Sequence, residues 1–225
     1  MIVLATKNLG KIAEFERLID HKFKVVGLNE FPDMPDVDET GSTLAENAYL
    51  KANAIAKFTS LPCLSDDSGL FISALNDEPG VFSARYASDK FSDSTTSEKE
   101  LFDTNPSRAN IEKVLRKLAG KSNRKAEFRT VVAFVDLKNN QRFDFLGRLP
   151  GEIAQIPRGE NGFGYDPIFI PTFLPVSNPV SNPEYNPNNL DRTLAQLTAE
   201  QKDSISHRSR AFEQARPVIM AALNS

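Results

Sequence analysis

Tryptophan is absent from this 225-residue chain, and cysteine occurs once, as Cys63. A single cysteine excludes a disulfide scaffold and a cysteine-based zinc site, and it fits a reducing compartment. Neither sign of charge dominates: 27 Lys and Arg stand against 30 Asp and Glu, a net charge of -3. The basic field needed for non-specific nucleic-acid binding is missing, so any bound anion must be held by a few local cations. No run approaches the roughly 20 apolar residues that span a bilayer. Residues 1–7 lack the basic segment and long apolar stretch of a signal peptide. These absences predict a cytoplasmic protein with neither nucleic-acid nor membrane partners. What is there is ordinary globular usage, 40% hydrophobic and 25% charged, with 16 Phe to supply the aromatic core. This length buries a full core without staples. No clean linker appears, so residues 1–225 read as one domain.

The apolar run 2–5, closed by Asn8-Leu9-Gly10, predicts a buried strand. Ile12, Phe15, Leu18 and Ile19 then predict an amphipathic helix, and 23–28 a second strand. Strand, turn, helix and strand open an α/β fold. Thr43-Leu44-Ala45-Glu46 matches a capping box, predicting a helix to about Thr59. On it Asn47 and Lys51 share a face, and Ala48, Ala52 and Ala56 form a small-residue stripe. Strands are expected at 61–66 and 70–75, a helix at 111–120, and a long strand at 128–137. Asn139-Asn140 suggests a hairpin turn into 142–147. The polar stretch 88–108 predicts no element. Prolines at 171, 175, 179, 183 and 187 mark 171–191 as an extended surface insertion. A last helix starts near Ser206, and Pro217 is expected to kink or interrupt it.

Five short segments carry possible chemistry. Thr6-Lys7-Asn8-Leu9-Gly10-Lys11 lies where strand hands over to helix, and helix-start N–H groups with lysines and a hydroxyl suit a phosphate. Ser65-Asp66-Asp67-Ser68-Gly69 places two adjacent carboxylates, which a hard cation would compensate. Strand side chains alternate, so only one of the two acids faces any given site. The loop Asp36-Val37-Asp38-Glu39-Thr40-Gly41 offers a further carboxylate to the same metal. In Gly162-Phe163-Gly164-Tyr165-Asp166-Pro167, two glycines let backbone approach a flat ligand, with Phe163 or Tyr165 to stack on it. Ser206-His207-Arg208 joins helix-start donors to a guanidinium, which suits an anionic or carbonyl-bearing ligand.

In their order along the chain, with Glu46-Asn47-Ala48, Lys51-Ala52 and 79–86, these segments resemble the inosine/xanthosine triphosphate pyrophosphatases. The resemblance implies an α/β fold: a long mixed sheet with flanking helices and two lobes around a nucleotide-binding cleft, usually in a homodimer. It implies hydrolysis of non-standard purine nucleoside triphosphates (ITP, dITP, XTP) to the monophosphate and pyrophosphate, with Mg2+ as cofactor. Asp67 becomes the expected catalytic base, with Asp66 in reserve, and the metal ligands are Asp67 with Asp38 or Glu39. Substrate contacts fall on Thr6, Lys7, Asn8, Leu9, Gly10, Lys11, Lys51, Ser68, Phe163, Gly164, Tyr165, Asp166, Lys202, His207 and Arg208. Lys202 follows the insertion, which is longer than the loop usual in that family.

Overall fold

A computed structural model describes residues 1–7, 9–18, 24–88, 90–172 and 191–223. In chain order the strands and α-helices are β1 (Ile2–Leu4), α1 (Leu9–Leu18), β2 (Val25–Val26), α2 (Leu44–Thr59), β3 (Cys63–Ile72), β4 (Pro79–Gly80), α3 (Thr96–Thr104), α4 (Pro106–Lys117), β5 (Lys125–Asp136), β6 (Gln141–Ile153), β7 (Phe169–Pro171), α5 (Ala199–Asp203) and α6 (His207–Leu223). The seven strands among the described residues form one sheet in the order β2-β1-β3-β5-β6-β7, with β4 on β3. β1 pairs in parallel with β2 and β3, whereas β4 and β7 pair antiparallel to their neighbours. The sheet is therefore mixed and the fold α/β, as the opening strand–helix–strand pattern indicates.

The chain divides into two compact units. The first comprises 1–68, 129–148 and 207–225; the second comprises 69–128 and 149–206. In the first, β1 is buried along its whole length, as an interior parallel strand must be. Its core joins Ile2, Leu4 and Phe15 to Val132, Phe134, Phe212 and Ile219. Phe15 and Phe212 meet edge to face, ring centroids 5.0 Å apart. The capping box on α2 forms as expected: Thr43 accepts from the Glu46 N–H while the Glu46 carboxylate accepts from that of Thr43. Ala48, Ala52 and Ala56 are all buried. The second unit packs Leu70, Ile72, Tyr86, Val114, Phe128, Tyr165 and Phe169 in its own core.

Three expectations need correction. Residues 61–75 do not form two strands: β3 runs unbroken from Cys63 to Ile72, and 73–75 is a 3-10 turn. Gly69, which looks like a turn residue, is needed inside the strand because a Cβ there would collide with the Gly80 carbonyl on β4. The polar stretch 88–108 contains α3, started by a second capping box between Thr95 and Glu98. Pro217 does not interrupt α6, which runs on from His207 to Leu223 with the proline inside it. Pro217 and Glu213, four residues earlier, are both exposed, so the proline falls on the solvent face of the helix, where a lost backbone bond costs least. Ile19 and Phe23, and the insertion from 173 to 190, lie outside the described residues.

Candidate functional site

The register of β1 on β3 pairs Leu4 with Leu64. Asp66 and Asp67 follow two and three residues later, beyond the end of β1, where the chain turns through Thr6 and Lys7 toward α1. In open α/β sheets the carboxyl ends of strands are where ligands bind. The strand continues through both acids, so they point in opposite directions and meet different partners.

Asp66 is buried and lies between two cations. Lys11, in the first turn of α1, donates to Asp66 Oδ1 at 3.0 Å and Oδ2 at 2.8 Å. Arg208, in the first turn of α6, donates from Nε to Oδ2 at 3.2 Å. Burial alone would raise the Asp66 pKa, but Lys11, Arg208 and Lys51 outweigh it and hold the carboxylate ionised far below the usual range. Lys11 is itself lowered, first by burial and then by the Arg208 and Lys51 charges, against the pull of Asp66. Two cations thus share one carboxylate.

Asp67 faces a different neighbourhood. Lys51 on α2 donates to Glu39 Oε1 at 2.8 Å and to the Asp66 carbonyl at 2.9 Å, with Asp67 Oδ1 3.6 Å away. Burial would lower the Lys51 pKa, but Asp67, Asp66 and Glu39 raise it instead. The Asp67 carboxyl is pushed up to about 6, first by burial and then by Glu39 and Asp66, with Lys51 and Asn47 opposing. Its Oδ2 is buried without a hydrogen-bond partner. Ser68 Oγ lies 2.6 Å from Thr130 Oγ1 and donates weakly to Asp66 at 3.4 Å.

These contacts refine the sequence expectations. Of the two loop acids, Glu39 carries the Lys51 ion pair, while Asp38 is exposed. Asp66, the reserve base, is fully committed to Lys11 and Arg208 and too acidic to take a proton near neutrality. Lys7 is exposed and pairs with exposed Asp36 at 3.3 Å, apart from these carboxylates. Leu9 and Gly10 supply backbone to α1; the Thr6 carbonyl accepts from Leu28 N–H. Asn8 lies outside the described residues. His207 and Arg208 open α6 and are both buried. Thr130, a buried residue of β5, is brought against Ser68 by a contact that no local pattern announces.

The second unit builds a separate group. Asp166 Oδ2 accepts from the Phe163 N–H at 2.9 Å and from Lys202 Nζ. Gly162 has φ +79°, and a Cβ there would strike that same carboxylate, so only glycine fits the turn. Asp166 is thereby the organiser of its own loop. The Lys202 ammonium lies 4.6 Å from the Phe163 ring centroid. Lys202 therefore does join the glycine-rich loop, despite the preceding insertion. Phe163 is 50% exposed and offers its ring, whereas Tyr165 is buried and donates to the Ser83 carbonyl at 2.8 Å. Of the two aromatics expected to stack, Tyr165 belongs to the core. Gly164, at φ +60°, has open space where a side chain would stand.

Cations from three helices are set against strand and loop carboxylates beyond the end of β1, in an α/β protein. Comparison with known proteins takes this further. The Ham1 family model matches residues 2–218. The dITP/XTP pyrophosphatase of Coxiella burnetii is 42% identical over 98% of this chain and 97% of its own. That of Staphylococcus aureus strain MW2 is 44% identical over 94% and 92%. Among solved structures, the Ham1 protein of S. aureus has a TM-score of 0.75 at 39% identity, covering 98% of both chains. The HAM1 protein of C. burnetii reaches 0.76 at 41% identity, again covering 98% of both. The chain belongs to the Ham1 family.

Proposed function

We propose that this protein hydrolyses non-standard purine nucleoside triphosphates, ITP, dITP and XTP, to the monophosphate and pyrophosphate, clearing deaminated purines from the nucleotide pool. The observation that carries the chemistry is the split of the acid pair: Asp66 holds Lys11 and Arg208 together, leaving Asp67 to face Glu39 and Lys51. Full-length relatives named dITP/XTP pyrophosphatase support the substrate class.

Water adds to the α-phosphorus as the bond to the bridging oxygen breaks, and pyrophosphate carries that oxygen away. Asp67 takes the proton from the water; with no cation bound its carboxyl is pushed up to about 6, first by burial. Lys11 and Lys51 neutralise phosphate oxygens and the charge growing on the leaving group. Glu39 and Asp67 fit a magnesium ion. Their carboxylates already gather around one cation, the Lys51 ammonium, and Asp67 Oδ2 is a buried acceptor with no partner. Mg2+ takes one or two carboxylates and completes its shell with phosphate oxygens and water, so a larger ligand cluster is not required. Bound there, it would draw charge from the phosphate oxygens. Ser68 orients phosphate, the exposed Phe163 ring stacks on the base, and Lys202 sits against that ring. His207, Arg208 and the start of α6 donate toward the carbonyl at purine position 6, where ATP presents an amino group. An unpaired buried donor costs about 1–3 kcal/mol, or about 5- to 150-fold per contact. A cytoplasmic homodimer completes this reading; equilibrium sedimentation checks the dimer.

The test is pyrophosphate release from a panel of triphosphates with Mg2+ and with excess EDTA. The expected result is ITP, dITP and XTP far above ATP in kcat/KM, and no turnover in EDTA. Equal values for ATP and ITP would remove the purine-cleansing role.

A further inference from the structure

The proposed chemistry leaves one fully buried polar side chain of α2 unused. Asn47 has no exposed surface. Its Oδ1 accepts the N–H of Gly41 at 2.8 Å, two residues beyond Glu39. Its Nδ2 has no hydrogen-bond partner, and neither has Asp67 Oδ2. Loop and amide are packed in contact: a Cβ on Gly41 would stand 2.7 Å from Asn47 Oδ1. One turn further along the same face, Lys51 holds the Glu39 carboxylate and the Asp66 carbonyl. The acidic loop is thus gripped twice by one helix, at the Glu39 side chain and at the Gly41 peptide.

We infer that Asn47 is a positioning residue of the divalent-cation site: by clamping the Gly41 peptide, two residues beyond Glu39, it sets where the Glu39 carboxylate stands beside Lys51. This rests on reading those two carboxylates as the metal's ligands. An ordinary helix-start clamp would hold the loop for stability alone. A buried acceptor left unmade on Asp67, beside a loop held at both Glu39 and Gly41, is instead what a site completed by a cation requires. Outer partners of this kind typically govern metal affinity by 10- to 100-fold.

The test measures Mn2+ binding by the full-length protein, from the loss of free-ion paramagnetic resonance signal, with the uncleavable α,β-methylene analogue of ITP present. Thermal unfolding without metal is followed alongside. Asn47→Ala should weaken Mn2+ about 10- to 100-fold, well beyond any shift that the metal-free melting point accounts for. Gly41→Ala presses on the same contact and should weaken Mn2+ in the same direction, and the double variant should lose no more than the worse single. Should Asn47→Ala fail to fold, Gly41→Ala carries the test. Wild-type Mn2+ affinity in either folded variant, or losses that multiply in the double, would overturn the positioning role while leaving the metal reading intact. Failure of the wild type to bind Mn2+ would overturn the metal reading and this one together.

Discussion

Asp66 and Asp67 are adjacent in sequence and opposite in environment. Asp66 has two cationic partners and is held strongly acidic; Asp67 shares one lysine with Glu39 and is pushed up to about 6. Environments that drive two carboxyls apart are the pattern of an acid–base division, and the proposed function places the base at Asp67. Asp67→Asn should therefore lower kcat by at least about 10²-fold, the low end for a lost general base, with little change in the unfolding midpoint. Asp66→Asn should do the reverse in stability: it leaves Lys11 and Arg208 close together without their carboxylate. Breaking such a buried pair costs roughly 3–5 kcal/mol, read as a lower urea midpoint. Full turnover in Asp67→Asn would sink its assignment. At this scale the residue types were legible in the sequence, but their division of labour was not, because the cations that separate them come from far along the chain.

At the scale of elements, α6 is held by its apolar stripe and presents His207 and Arg208 from its first turn. Phe212 is fully buried against Phe15 of α1. Phe212→Ala should cost roughly 3–5 kcal/mol, as a large ring removed from a packed core leaves a cavity. Chemical denaturation checks it; a loss below 1 kcal/mol would mean the site collapses freely. α2 was legible because its capping signals lie within four residues. α3 opens on the same local signal, Thr95 and Glu98, but no apolar stripe follows it in the sequence, because much of its anchorage is polar. Its Glu98 is buried by an ion pair with Arg116 of α4 at 2.7 Å, a partner that no local pattern announces.

For the molecule as a whole, stability against acid depends on carboxylates held below their ordinary range. Away from the candidate site, Lys113 is fully buried, donates to Asp93 at 2.6 Å and lies 4.3 Å from the Tyr86 ring centroid. Lys117 also binds Asp93, at 2.7 Å. Burial would raise the Asp93 carboxyl, but Lys113 and Lys117 bring it down to about 2. A depressed carboxyl stabilises the fold fully above its unfolded pKa of about 3.9, and that contribution is lost as pH falls toward 2. Asp93→Asn should thus lower the melting point at pH 7 and flatten its fall between about pH 4 and 2. Parallel curves for the variant and wild type across that window would show that Asp93 does not couple to folding. Asp93 is half exposed, so water screens part of the effect.

The sequence by itself determined the α/β class, the position of α2 and the family that its short motifs resemble. Caps, periodicities and short motifs act over a few residues, and their physics is complete within that span. Tertiary structure alone decided that Asp66 meets Lys11 and Arg208 while Asp67 faces Lys51, that Glu39 and not Asp38 holds Lys51, that Tyr165 is core while Phe163 is offered to solvent, and that β3 runs through its glycine. Those outcomes depend on burial and on partners distant in the chain: Lys11 is 55 residues from Asp66, and Arg208 is 142. A carboxylate's charge is set by the dielectric and the cations around it, and both exist only once the chain has folded.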